Sequence, residues 1–262
     1  MTAREIVPGV FSVGAIDWDR RIFDELIAIP DGTTYNSYLV QGSEATALID
    51  TVDPAMTADL MANLDQLGVG RIDYIVCNHA EQDHSGSIPA VLDRFPGSKV
   101  VTNEKCRDLL IDHLHIQKDR CLVIGDGETL PLGGKTLEFI IAPWVHWPET
   151  MLTYLFGSHY ATSSLYVPDE GVIYESAKRY YAEIMMPFRA SIKGHLQKLA
   201  PREIDIIAPS HGPLYDRPAF IMDAYRDWTG DAVKNVVVLP YVSMHGSTQA
   251  MVDHLIDALV QR

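Results

Sequence analysis

Tyr74-Ile75-Val76-Cys77-Asn78-His79-Ala80-Glu81-Gln82-Asp83-His84-Ser85-Gly86 governs the reading of the whole chain. Its first four residues form a short apolar run, which predicts a buried strand. The residues after it bring two imidazoles and two carboxylates into six positions, 79–84. His79 and Glu81 are two apart, so an extended segment points both to one side. Asp83 and His84 follow where the chain turns toward a helix. One short loop leaving a strand can in this way feed two neighbouring metal ions. For the Asp83-His84 pair alone, helix capping is a competing reading. For all four residues together a metal site is the better reading, because buried acids and imidazoles packed this closely need a cation to offset desolvation.

Further ligand-type residues lie downstream. His146 sits in Pro143-Trp144-Val145-His146-Trp147-Pro148, between apolar runs at 135–142 and 151–156 that both read as strands. His211 sits in Pro209-Ser210-His211-Gly212, just after a predicted strand at 205–208. Strands that end in ligands at one edge of a sheet sandwich converge on one site. His113, His115, His195 and His254 read instead as surface or hydrogen-bonded core residues. Tyr35 and Trp147 read equally well as walls of a substrate pocket and as ordinary packing.

Around this cluster the pattern is mixed α/β. Strands are expected at 10–16, 34–40, 45–51, 74–77 and 99–102, with turn residues at 30–32 and 41–43. Residues 56–67 predict a helix, with Met56, Leu60, Leu64 and Leu67 at helical spacing. Helices follow at 88–95, at 103–115 with Asn103 as N-cap, at 173–199 with a break near Pro187, and at 218–228. Residues 235–242 predict an apolar strand, and 249–260 an apolar-periodic helix. One strand–loop–helix unit cannot build its own core. The expected domains are therefore 1–232 and, as the opening of a second domain, 233–262.

The 262 residues carry a formal charge of −14, 47% hydrophobic and 21% charged residues. This is an ordinary globular composition. The acidic balance disfavours nucleic acid and anionic membranes as partners. Three scattered cysteines imply no disulfide framework, and a reducing cytoplasm is the simplest setting. No apolar run reaches the length of a membrane span, and the first residues form no signal core.

The donor set bears on the metal. Zinc hydrolases favour nitrogen and sulfur ligands around an attacking water. Glu81 between His79 and Asp83 makes this set richer in anionic oxygen, which suits iron. Zinc also accepts carboxylates, so a metal-dependent hydrolase stands as the alternative.

His79-Ala80-Glu81-Gln82-Asp83-His84 resembles the H-x-E-x-D-H signature of the flavodiiron proteins, redox members of the metallo-β-lactamase superfamily. Their hydrolytic relatives carry H-x-H-x-D-H, so Glu81 is the discriminating position. The resemblance extends through Gly14-Ala15-Ile16-Asp17-Trp18-Asp19, Thr34-Tyr35-Asn36-Ser37-Tyr38-Leu39, His146-Trp147-Pro148-Glu149-Thr150-Met151 and Pro209-Ser210-His211-Gly212-Pro213. It implies an αββα sandwich, α/β (α+β) in class, followed by the first βα unit of a flavodoxin-like domain. It implies two iron ions, one held by His79, Glu81 and His146, the other by Asp83, His84 and His211. It implies reduction of dioxygen to water, nitric oxide to nitrous oxide, or both, with electrons passing through FMN. Donors used in the family are rubredoxin, a reduced deazaflavin or a pyridine-nucleotide reductase, and the assembly is a head-to-tail homodimer or a tetramer. Ser243-Met244-His245-Gly246-Ser247-Thr248 is similar to the family's FMN phosphate loop, and hydroxyls and N–H groups at a helix start suit a phosphate.

Two departures are expected to matter. The family places a bridging aspartate on a short strand after the one matching 151–156. Here that strand runs straight into Gly157-Ser158-His159-Tyr160-Ala161, so a segment is missing, and His159 and Asp169 read as solvated loop residues. A weakened or asymmetric second metal site is expected, with a disturbed sheet, and an inactive fragment is a further alternative. The flavodoxin-like part holds one strand and one helix, so this polypeptide is expected to bind FMN poorly.

Overall fold

Apolar side chains on both faces of the parallel strands set the layering. The computed structural model describes residues 2–23, 27–156, 167, 169–232 and 236–260. The chain divides into two compact units, Met1–Thr229 and Gly230–Arg262.

The first unit is built on a seven-stranded sheet of β1 (Arg4–Val7), β2 (Val10–Ser12), β7 (Tyr38–Gln41), β8 (Thr46–Ile49), β9 (Tyr74–Val76), β10 (Lys99–Thr102) and β11 (Cys121–Val123), in that order. The β1–β2, β2–β7 and β7–β8 pairs are antiparallel, whereas β8–β9, β9–β10 and β10–β11 are parallel. The parallel steps are bridged by α1 (Thr57–Gln66), by α2 (Gln82–Ser85) with α3 (Ile88–Arg94), and by α4 (Glu104–Leu114). Successive strand residues face opposite ways. Leu48, Ile75 and Val100 therefore pack with Leu60, Leu64, Ile88, Val91 and Leu110 of the helices. Ala47, Ile49, Val76 and Val101 face the other way, onto Leu132, Leu137, Phe139 and Met151.

That second layer is a three-stranded antiparallel sheet of β12 (Thr129–Pro131), β13 (Thr136–Ile141) and β14 (Met151–Phe156). Two small ribbons pair β3 (Ala15–Asp17) with β6 (Thr33–Tyr35), and β4 (Ile22–Phe23) with β5 (Ile27–Ala28). The outer layer beyond β13 and β14 comprises α5 (Glu170–Tyr180), α6 (Arg189–Leu199) and α7 (Pro218–Trp228). Lys198 Nζ donates to Ile141 O at 2.9 Å, and Tyr154 Oη donates to Glu203 O at 2.6 Å. The result is the expected αββα sandwich of the metallo-β-lactamase type.

Local chemistry explains the boundaries. Asn103 caps α4, its side chain accepting from Cys106 N. The expected long helix is continuous but irregular: α5 runs into a π turn at Tyr181–Met185 and a 3-10 turn at Met186–Phe188, where Pro187 removes a backbone donor. The strands expected at 10–16 and 34–40 are each broken in two. An ideal Cβ on Gly14 would lie 2.2 Å from Tyr35 O, so only glycine permits this approach where both strands change sheet.

Two expected strands are corrected. Residues 205–208 form only a single bridge, Ile207 to Tyr215; the loop beyond is held by the side chains of Asn36 and Tyr38 and by one backbone bond, Asn36 N to Ser210 O, with no ladder. In the second unit, residues 236–242 have no strand partner among the described residues, and Val236, Val237, Val238 and Val242 are exposed. A strand exists only through its neighbour's hydrogen bonds. Asn235 lies outside the described residues. The following helix, α8 (Ser247–Val260), starts two residues before the expected Gln249, so Ser247 and Thr248 belong to its first turn.

Candidate metal centre

Open α/β sheets place their binding sites at the carboxyl ends of the parallel strands, and the cluster follows that end of β9. His79 and Glu81 lie in the segment between β9 and α2, and Asp83 and His84 lie on the single turn of α2. Cys77 N donates to Val101 O at 3.0 Å and Thr51 N to His84 O at 2.7 Å, tying both ends of the loop to neighbouring strands. The capping reading of Asp83 is not seen: Glu81 occupies the N-cap of α2, with no side-chain cap bond.

All six residues singled out in the sequence come together, in two groups. In the first, His79, Glu81 and His146 bring their ligand atoms within 4.8 Å of one another. Glu81 Oε2 lies 2.9 Å from His79 Nε2 and 3.2 Å from His146 Nε2. In the second, Asp83, His84 and His211 meet the same limit. Asp83 Oδ2 lies 3.3 Å from His211 Nε2 and 3.5 Å from His84 Nε2. The His84 and His211 rings are 4.7 Å apart, and those of His79 and His84 5.7 Å, so the groups adjoin.

Residues beyond the six hold this arrangement. Glu149, buried, accepts from His79 Nδ1 at 3.0 Å and from Ala80 N at 3.1 Å. Asp50 accepts from Asn78 N at 2.8 Å and from Asn78 Nδ2 at 3.0 Å. The His211 loop hangs on the segment between β6 and β7. Asn36 Nδ2 donates to Pro209 O at 2.9 Å and Gly212 O at 2.8 Å, and His211 Nδ1 donates to Thr34 O at 2.6 Å. Glu149, Asn36 and Thr34 stand inside stretches quoted above, but nothing in their spacing distinguishes a support from a surface residue. Trp147 meets the His79 ring edge-on at 5.2 Å, and buried Tyr35 lies 6.2 Å from His211. His195 bonds to Pro143 O at 2.9 Å, as a structural histidine does. Asp169 caps α5, accepting from Gly171 N and Val172 N; His159 lies outside the described residues.

Electrostatics separate the two groups. Burial disfavours a charged His79, but its hydrogen bonds to Glu149 and Glu81 outweigh this and raise its pKa to about 9. Burial also opposes ionisation of Glu81, yet His146 and His79 hold its carboxyl well below the usual range. Burial and the neighbouring His211 push His84 down to about 3, so it is a neutral imidazole. Both oxygens of Asp83 and Nδ1 of His84 are buried without a hydrogen bond of proper geometry. Asp83 is nonetheless held below its ordinary pKa, against burial, by His211. A buried carboxylate without donors costs several kcal/mol. A cation between Asp83, His84 and His211 would remove that cost. The residues present therefore fit a metal, and each group has the two-histidine, one-carboxylate composition typical of non-haem iron.

Fold and site define a metallo-β-lactamase-like domain with two adjoining groups of residues that could hold metal ions. A family model described as "ODP family beta lactamase" matches residues 33–212. The chain is 36% identical over 273 residues to a nitric oxide reductase of Moorella thermoacetica, covering 97% of this chain and 68% of that protein. It is 34% identical over 272 residues to a coenzyme F420H(2) oxidase of Methanothermobacter marburgensis, covering 95% and 67%. Among solved structures it superposes on the rubredoxin oxygen:oxidoreductase of Desulfovibrio gigas with a TM-score of 0.86 at 30% identity, covering 99% of this chain and 69% of the other. The flavodiiron protein of Giardia intestinalis gives 0.85 at 30% identity, covering 98% and 66%.

The chain belongs to the flavodiiron protein family. It spans about two thirds of the length of these relatives. The alignment to the Moorella protein, 273 residues, is longer than the 262-residue chain, so that relative carries residues with no counterpart here. Among the described residues no helix is long and apolar enough to cross a membrane.

Proposed function

We propose that this chain carries the diiron centre of an oxidoreductase that reduces dioxygen to water, nitric oxide to nitrous oxide, or both. One observation carries the reading: the two adjoining groups, His79–Glu81–His146 and Asp83–His84–His211, each with one carboxylate, in place of an imidazole-rich zinc set. These residues would hold two iron ions, which would act as Lewis acids and supply one electron each, enough for two nitric oxide molecules, while dioxygen would need two more from the electron donor. The chain's own part is to fix the ligands and shield the pocket. Asn36 holds the loop that carries His211, and Trp147 and Tyr35 stand against the His79 and His211 rings.

The names of the relatives support the substrates and donors: nitric oxide, coenzyme F420H(2), and rubredoxin with oxygen. A donor of the rubredoxin or deazaflavin type fits those names. We infer that residues 243–248 are the phosphate loop of an FMN site, since Gly246, at φ +78°, and Ser247 open α8. A head-to-tail dimer or a tetramer would bring the flavin of one chain to the iron of another. Three free thiols fit a reducing, cytoplasmic setting.

We also infer that the iron pair lacks a bridging carboxylate. Positions 151–168 contain no Asp or Glu. The second iron is then held less firmly than the first. Purified protein reconstituted with ferrous iron under anaerobic conditions tests both statements. Consumption of nitric oxide or dioxygen by the chemically reduced protein, with ferric absorption on reoxidation, is the expected result. Uptake of zinc alone, with no colour and no gas consumption, would refute the oxidoreductase reading and favour a hydrolase. Two tightly held, antiferromagnetically coupled irons would refute the missing bridge.

A further inference from the structure

Glu149 is the most deeply buried carboxylate in contact with the ligand cluster, at 1% exposure. It comes from the loop that leads into β14. Its backbone is fixed on both sides: Asn103 Nδ2 donates to Glu149 O at 2.5 Å, and Met151 N donates to Asn78 O at 2.9 Å. One side-chain oxygen, Oε1, accepts from His79 Nδ1 at 3.0 Å and from Ala80 N at 3.1 Å. The other, Oε2, is buried with no hydrogen-bond partner. A carboxylate kept in this half-satisfied state is costly. It persists where a positive charge lies close by, and the nearest group it touches is the ring of His79. The opposite nitrogen of that ring, Nε2, faces Glu81 Oε2 at 2.9 Å.

We propose that Glu149 is the positioning residue of the first metal site: it holds the Nδ1–H tautomer of His79, aims Nε2 at the metal, and raises the donor strength of the ring. The inference rests on the metal-centre reading above. Carboxylates behind metal-bound histidines act in this way, and their loss weakens metal binding by about 10–100-fold. The second site is built differently. His211 Nδ1 donates to the neutral carbonyl of Thr34 at 2.6 Å, and His84 Nδ1 has no partner. Glu149 therefore gives the first site an anionic support that the second lacks. The single bond from Ala80 N also lets it set the course of the ligand loop between His79 and Glu81.

The test uses the full chain stripped of metal and titrated with cobalt(II) against a competing chelator. Glu149→Gln keeps shape and an acceptor oxygen but removes the charge. The expected outcome is a cobalt affinity at one site lower by about 10–100-fold. In the proton spectrum of the cobalt protein, the hyperfine-shifted N–H of His79 should exchange faster with solvent in the variant, while that of His211 is unchanged. A wild-type measurement stands independently of how the variant folds: the His79 N–H must persist in water as a slowly exchanging resonance. A variant with wild-type affinity and unchanged exchange overturns the proposal, as does a fast-exchanging His79 N–H in the wild type. A wild type that takes up no cobalt overturns instead the metal-centre reading.

Discussion

Asp50→Asn tests how the ligand loop is anchored. Asp50 follows β8 in the left-handed region, φ +55°, which Asp and Asn tolerate better than other side chains. Its buried carboxylate receives both the backbone and the side-chain N–H of Asn78, the residue that leads into His79. Burial raises its pKa from 3.8 to about 6, against the lowering effect of those bonds. Between the two values the native protein holds the proton more tightly than the unfolded chain. This group's contribution to stability therefore falls as pH rises through that window and is level above it. The full displacement corresponds to about 3 kcal/mol, and roughly 1 kcal/mol of it lies between about pH 5 and pH 7. His84, lowered by burial to about 3, contributes a slope of opposite sign, because the unfolded chain takes up its proton first as pH falls. Comparing wild type with variant cancels that slope. Asparagine keeps one acceptor but sets its NH2 against Asn78 Nδ2, a mismatch of about 1–3 kcal/mol at every pH. Urea unfolding of the metal-free proteins should show the variant less stable at about pH 5, with the gap narrowing by roughly 1 kcal/mol at about pH 7. A gap that does not change with pH would refute the reasoning.

Two further outcomes are expected. In Gly86→Ala the new Cβ would lie 2.5 Å from Gln82 O and 2.6 Å from Pro54 Cδ, so α2 must shift with Asp83 and His84 on it. The cost is about 1–3 kcal/mol, read as a lower melting temperature and less metal retained per chain; unchanged values would show that the turn is not packed as described. Glu81→His replaces the carboxylate shared by His79 and His146 with a third imidazole. Metal analysis should then show zinc in preference to iron, without ferric absorption; an undiminished iron content would remove Glu81 from its discriminating role.

Periodicity by itself located much of the first unit. The parallel strands 74–77 and 99–102, the α4 cap at Asn103, the α6–α7 region and β14 are legible because local patterning and burial agree there. The misses lie where distant parts of the chain decide. Gly14 looks like an ordinary strand residue until Tyr35 is placed against it. Residues 205–208 carry the composition of a strand, but Asn36 and Tyr38 hold the Pro209 end of that loop by side-chain bonds. Residues 236–242 have strong strand propensity, and propensity supplies no hydrogen-bond partner.

For the site, the chain's own order of residues determined the chemistry: which side chains carry donor atoms, their carboxylate content, and the period-two step that sets His79 beside Glu81. Only the tertiary structure decided the grouping. It put His146 with Glu81 and His211 with Asp83, and it brought Glu149 behind His79 across 70 positions of sequence. The reason is physical. A ligand's identity is a property of one residue, whereas its aim, its burial and the charge behind it are set by neighbours that only folding assembles.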